Sequence, residues 1–331
     1  ETVMSPTTQT RSSSKRTSPL NKTLALTFGI PVLIGLMLWA FLAPTFASGP
    51  SGVPIAVSGP APVVEQLQAQ ASQQEEHPDF ITVESQDEAV NMVKDREAVG
   101  AIAVTPDGTT VYTASGNGAA YTQLLGGVAQ KLQSTGAQVE TVELAPATQD
   151  DPQAQGLALL GLPLAFGGVI SAVLATVLLR GHKWWKVAAI AGVALIGSAV
   201  AVWLLHGVYG SIDGNVFVEW IAVALGIAAT SAMTAGLGAV LGMAGIGIGA
   251  VLTIFVANPL SGLATGPWLL PAGWSTLGQL MPIGATGFLV RSISFFDGAG
   301  ATRAWIVLLT WIVIGLILLA FDRSKAETDA K

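Results

Sequence analysis

The stretch FVEWIAVALGIAATSAMTAGLGAVLGMAGIGIGAVLTIFVANPLSGL, residues 217–263, decides the fold. It carries one charged side chain, Glu219. As a single helix it would be about 70 Å long at 1.5 Å per residue, more than twice a hydrocarbon core of about 30 Å. It must fold back, and Gly242, Gly245 and Gly247 mark the place. The stretch therefore predicts two membrane spans, the fourth and fifth of the chain.

Outward from it, the same test finds four more. Thr23 to Ala47 has no charge, exceeds the length of a signal core, and predicts a retained anchor that Pro31 and Pro44 bend or end. Gly156 to Leu179, Val187 to Leu205 and Ala304 to Phe321 are the second, third and sixth spans. Between Pro259 and Gly284 the chain is apolar but interrupted by five glycines and four prolines, so two short re-entrant or interfacial helices are expected, with Trp268 and Trp274 near the headgroups. The expected divisions are a disordered basic tail (1–21), the first span (22–47), an acidic α/β domain (48–155), a membrane domain (156–321) and a charged tail (322–331).

Composition agrees. The 331 residues are 51% hydrophobic and 11% charged, against about 25% charged in soluble domains, which excludes an ordinary soluble enzyme. The net charge of -6 is an average over two solvents: residues 48–155 hold 14 of the 21 acids and three of the 15 bases, a local net of -11. Ten bases fall on one side if the N-terminus is cytoplasmic: Arg11, Lys15, Arg16, Lys22, Arg180, Lys183, Lys186, Arg323, Lys325 and Lys331. That bias predicts cytoplasmic N- and C-termini, with the acidic domain outside.

The acidic segment reads as a small α/β domain. Strands are expected over Val53–Val57, Phe80–Val83, Ala101–Thr105, Thr109–Thr113 and Val139–Leu144. Helices are expected over Pro62–Ala71, Ser85–Val99 and Ala119–Ser134, the last stopped by Gly136. Ser85 with Glu88 forms a capping box, and Pro106-Asp107-Gly108 a hairpin turn.

Several chemistries are excluded. No lysine follows a glycine, so there is no P-loop. There is no Cys, and His77, His182 and His206 lack metal-ligand spacing, so neither a metal site nor a cofactor in this chain is expected. No basic, aromatic-rich surface suggests nucleic acid, and no constellation suggests a catalytic residue.

The candidate polar membrane site is His206, Asp213, Glu219 and Arg291. His206 and Glu219 flank the short turn carrying Asp213. They either line a polar path or protonation switch, or simply reach the outer headgroups. Arg291 either binds a lipid phosphate or anchors at the interface. Ala224, Ala228, Ala232 and Gly236 repeat every four residues and form a close-packing face, for a homodimer seam or for packing within the chain. Arg180, His182, Lys183, Trp184, Trp185 and Lys186 form a candidate cytoplasmic coupling loop.

One span, an outer α/β insert, and five spans with a broken apolar stretch before the last resemble the ABC-2 type of ABC-transporter permease and the related phage-infection-protein-like membrane proteins, in their actinobacterial six-span form. The residues that carry the resemblance are Asn258-Pro259-Leu260-Ser261-Gly262, Leu280-Met281-Pro282-Ile283-Gly284-Ala285, Leu289-Val290-Arg291-Ser292 and Phe295-Phe296-Asp297-Gly298-Ala299-Gly300, with Glu88-Ala89-Val90 and Val99-Gly100-Ala101-Ile102 in the insert. The resemblance implies a bacterial plasma-membrane exporter or extruder of a lipid or other hydrophobic substrate, not itself an enzyme, with a separate cassette ATPase and a homodimeric membrane unit as partners. The loop from Arg180 to Lys186 is short for a coupling helix, and the N-terminal tail has no amphipathic pattern. The alternative is a non-transporting subunit or scaffold of a cell-envelope assembly, docking on another membrane protein through the outer domain.

Overall fold

The structure is a computed structural model and describes residues 19–73 and 75–321. The expected basic tail to residue 18 and the tail from residue 322 lie outside the described residues.

Helix α1 runs over Pro19–Ala47. It begins inside the expected tail and continues through Pro31 and Pro44, so neither proline ends it. A proline costs a helix one backbone bond, a loss that membrane helices tolerate.

The α/β domain follows in the order β1 (Pro54–Ser58), α2 (Ala61–Ala71), β2 (Asp79–Val83), α3 (Gln86–Lys94), β3 (Gly100–Thr105), β4 (Gly108–Thr113), α4 (Ala119–Ser134) and β5 (Val139–Glu143). The sheet order is β2-β1-β3-β4-β5, parallel except for the β3–β4 hairpin. Ile55 lies opposite Phe80 on one side and Gly100 on the other, while Ala101 faces Tyr112. Alternation along the strands builds two unequal faces. Ile55, Val57, Ile102 and Val111 pack with Val64 of α2 and Leu125 of α4. Ala56, Ala101 and Ala103 form a thin face against Ala89 and Val93 of α3.

Helix α3 opens as the capping box requires, with the Glu88 amide donating to Ser85 Oγ at 3.1 Å. The Glu88 carboxylate accepts from the amide of Glu84, one residue before the expected partner. The helix ends at Lys94, five residues earlier than the pattern predicts. The Arg96 amide donates to Val93 and the Glu97 amide to Met92, the two closing bonds of a Schellman stop. That stop needs a left-handed residue, usually glycine. Here it is Arg96, at φ 62°.

The rest is helical. The short α5 (Gln155–Ala158) leads into α6 (Gly161–Leu178), and a tight turn leads to α7 (Lys183–Val202), which continues as a π-helical turn over Trp203–Val208. Then come α8 (Val216–Leu241), α9 (Met243–Val251) with a second π turn over Leu252–Ala257, α10 (Ala272–Gln279), α11 (Pro282–Phe295) and α12 (Thr302–Ala320). Asn215 caps α8 by accepting from the amides of Phe217 and Val218. The fold-back comes at Gly242, whose φ of 64° only glycine adopts without strain.

Among the described residues five helices are long and apolar enough to cross a membrane, as in a multi-pass membrane protein: 26–47, 155–178, 183–208, 216–241 and 302–320. The segment Met243–Ala257 is apolar but shorter. Helix α8 is the central one, packed against α6, α7, α9, α11 and α12. Close approach rests on small residues. A side chain added at Gly168 would meet Thr230, and one at Gly315 would meet the Ala232 backbone. Ser171 and Ser231 share a buried hydrogen bond of 2.7 Å.

Two carbonyls of the broken stretch that its interrupted helices leave free find side-chain donors, as buried backbone requires. Trp311 Nε1 donates to the Leu280 carbonyl, and Gln279 Nε2 to that of Ser261, both at 2.8 Å.

Candidate functional site

The C-terminal half of α11 is where the α/β domain meets the helices. A helix turns 100° per residue, so Arg291, Ser292 and Ser294 leave it in three directions, and each reaches a different polar group.

Ser292 faces Arg96. The Arg96 guanidinium is buried, at 4% exposure, and donates to Ser292 Oγ and, at 3.0 Å, to the Phe288 carbonyl. It lies 3.8 Å from the Phe288 ring centre and 4.9 Å from that of Phe296. Burial pushes its pKa well below the ordinary arginine value, and the neighbouring Arg291 adds to the effect. Among the described residues no carboxylate pairs with it, so two aromatic faces and two oxygens take the place of a counter-ion.

The contact continues through rings. Trp268 packs edge-on to both Phe288 and Tyr121, and the Trp268 amide donates to the Tyr121 hydroxyl at 2.9 Å. Burial raises the Tyr121 pKa, so the hydroxyl stays neutral. Trp268 thus belongs to the joint between the two parts.

Ser294 faces the second cluster. The Glu219 carboxylate is fully buried and accepts three hydrogen bonds: from Ser294 Oγ at 2.7 Å, from the Gly214 amide at 2.9 Å, and with His206 Nδ1 at 2.9 Å. The π turn that follows α7 carries His206 to this position. Glu219 does not reach out to headgroups as one reading of the pair expected: it points inward, where three donors meet it, while the His206 side chain is 26% exposed. Asp213 is exposed and outside the cluster. Arg291 is also corrected as an interfacial anchor, being 3% exposed against the first turn of α4. The expected four-residue site therefore divides: His206 and Glu219 meet each other, Arg291 faces elsewhere, and Asp213 meets neither.

Of two other candidates, the small-residue stripe packs within the chain, one of its two expected readings, and the coupling loop is partly helical. The Ala224, Ala228, Ala232 and Gly236 stripe lies within the bundle, and Gly236 and Ala232 meet Gly315 and Leu318 of α12. Of the expected coupling loop, only Arg180 and His182 stay in the turn. Lys183, Trp184, Trp185 and Lys186 form the first turn of α7, and Lys186 is buried at 1% exposure. Helix formation wins there because the backbone bond from Lys186 to His182 is already available.

Reading the sequence missed Arg96, Asn117, Tyr121, Ser292 and Ser294. The one local sign was a basic residue at the end of a helix whose sequence lacks a terminating glycine.

A cavity of about 730 Å³ opens on the bulky face of the sheet between α2 and α4. Its floor includes Val63, Leu67, Phe80, Val104 and Val128, with Lys131 among its polar residues.

Comparison of the chain with protein-family models, with curated proteins and with solved structures finds no match.

Proposed function

We propose that this protein is an ABC-2-type, permease-like membrane subunit that exports or extrudes a lipid or other hydrophobic substrate with a separate ATPase. The observation that carries the reading is the order of elements: one long apolar helix, an α/β insert, a helical bundle, and the short pair α10–α11 immediately before the last long helix. In this reading the termini are cytoplasmic in a bacterial plasma membrane and the acidic domain is outside. Helix α9 with its π turn makes a short fifth crossing, giving six, and α10–α11 dips into the membrane from the outer side and returns. Two copies form the membrane unit.

The apolar floor of the cavity, with Val63, Leu67, Phe80, Val104 and Val128, supports a hydrophobic substrate, since such a wall with polar groups around it suits an acyl chain with a polar end. Gly127 borders it, and a side chain added there meets nothing within 4 Å. Gly127→Leu should therefore start without a Cβ clash and obstruct the cavity at its border. It should also stabilise α4 by about 0.5–1 kcal/mol, through loss of glycine's backbone freedom. The expected result is loss of photo-crosslinking to a diazirine-bearing acyl lipid at an unchanged or raised thermal midpoint. Full crosslinking in Gly127→Leu would remove the cavity from the substrate path.

One observation favours the second reading, a non-transporting scaffold of a cell-envelope complex. The turn between α6 and α7 is only four residues long, and of the two lysines in the first turn of α7 Lys183 is exposed and Lys186 is buried, a small surface for an ATPase. A tag pull-down in mild detergent separates the two. The exporter reading expects a cassette ATPase at near-stoichiometric yield; envelope proteins without an ATPase would replace it with the scaffold.

A further inference from the structure

A small cavity of about 170 Å³ lies beside Arg291, at the first turn of α4, lined also by Asn117, Gly118, Tyr121, Gln155 and Gly266. Four observations converge on it. Asn117 is 1% exposed, yet neither its Nδ2 nor its Oδ1 has a hydrogen-bond partner. Arg291 is 3% exposed and its Nε is likewise unpartnered, while its one bond to the Leu263 carbonyl is long, at 3.5 Å. Helix α4 begins here without a side-chain cap, so its first amides point into the same space. Among the described residues no carboxylate lines the cavity.

A buried cation without a counter-ion and a buried amide without partners are both costly. Here they share one space with a helix N-terminus, the arrangement that suits a tetrahedral oxyanion. The backbone keeps that space open. Gly118, at φ 114°, lies beside the guanidinium, and a Cβ there would stand 3.7 Å from it. The volume far exceeds the ~10–15 Å³ that holds one water. Gln153 and Gln155 at the rim are exposed, which leaves an entrance.

We infer that this cavity is a phosphate-binding site, in which Arg291, the Asn117 side-chain amide and the first backbone amides of α4 hold one phosphate group, from a phospholipid headgroup or free in solution. The inference stands apart from the transport reading, since it concerns only the joint between domain and bundle.

The test uses full-length protein purified in phosphate-free detergent. Native mass spectrometry reads retained phospholipid. Thermal unfolding is followed with added inorganic phosphate, with phosphatidylglycerol vesicles, and with phosphatidylcholine vesicles. A lipid source predicts retained phospholipid and a midpoint raised by the vesicles. A free source predicts a rise of about 5 °C at saturating inorganic phosphate, with no retained lipid. Both responses should vanish in Arg291→Gln. Asn117→Asp supplies a carboxylate of nearly the same shape and keeps the test decisive should Arg291→Gln not fold. It should raise the ligand-free midpoint and abolish the response to either probe. No retained lipid together with no response to any probe would overturn the proposal, as would equal responses in wild type and Asn117→Asp.

Discussion

Arg96→Ala is expected to lower stability by about 3 kcal/mol and to loosen the α/β domain from the helical bundle. Desolvated cation–π contacts contribute about 2 kcal/mol or more, and hydrogen bonds from a charged donor about 1.5–3 kcal/mol. Arg96 makes both kinds, to Phe288 and Phe296 and to the oxygens of Phe288 and Ser292. The opposing effect is that alanine no longer requires a guanidinium to leave water, which keeps the net below the simple sum. Backbone strain is separated by Arg96→Gly. At φ 62° glycine relieves about 1–2 kcal/mol, so the glycine variant should unfold above the alanine one. Arg96→Lys should not restore the wild-type midpoint, because an ammonium cannot lie flat between two rings. Hydrogen exchange should rise in both β3 and α11. Unchanged exchange across that boundary in Arg96→Ala would show that the guanidinium does not hold the two parts together.

Glu219→Ala should cost about 3 kcal/mol or more, since each buried donor left without its acceptor costs about 1–3 kcal/mol. It strands the Gly214 amide, His206 and Ser294 together. Glu219→Gln keeps the shape and one good acceptor but turns an NH₂ toward a donor, and should cost about 1–2 kcal/mol. His206→Ala should cost less than Glu219→Ala, since the His206 side chain is 26% exposed and water can replace it. The check is thermal unfolding of the three variants in one detergent, and a His206→Ala loss equal to that of Glu219→Ala would place the cluster's energy in the pair rather than in the carboxylate.

What could be read from the sequence was local. The Ser85–Glu88 cap, the Asp107-Gly108 turn and the ends of α4 depend on neighbours a few residues away, and each fell within a residue or two of the pattern. The fold-back at Gly242 followed from length alone. The polar joint was not legible, because its members are far apart along the chain: Arg96 reaches Phe288 across 192 residues and Ser294 reaches Glu219 across 75. No periodicity encodes such a meeting. The early stop of α3 was hidden for a related reason. Its left-handed position carries arginine where glycine is usual, and only the distant rings explain why the strain is retained.

The shortness of α9 bears on the lipids around it. With its π turn the segment spans 15 residues, about 22 Å at 1.5 Å per residue, against a hydrocarbon thickness of about 30 Å. Taken as a crossing, it leaves a hydrophobic mismatch of about 8 Å on the face where Met243, Ile248 and Val251 are exposed. Lipids there must shorten their tails or tilt, at a fraction of a kcal/mol per Å. The protein would then carry its own dimple in the bilayer, and favour thin membranes over thick ones.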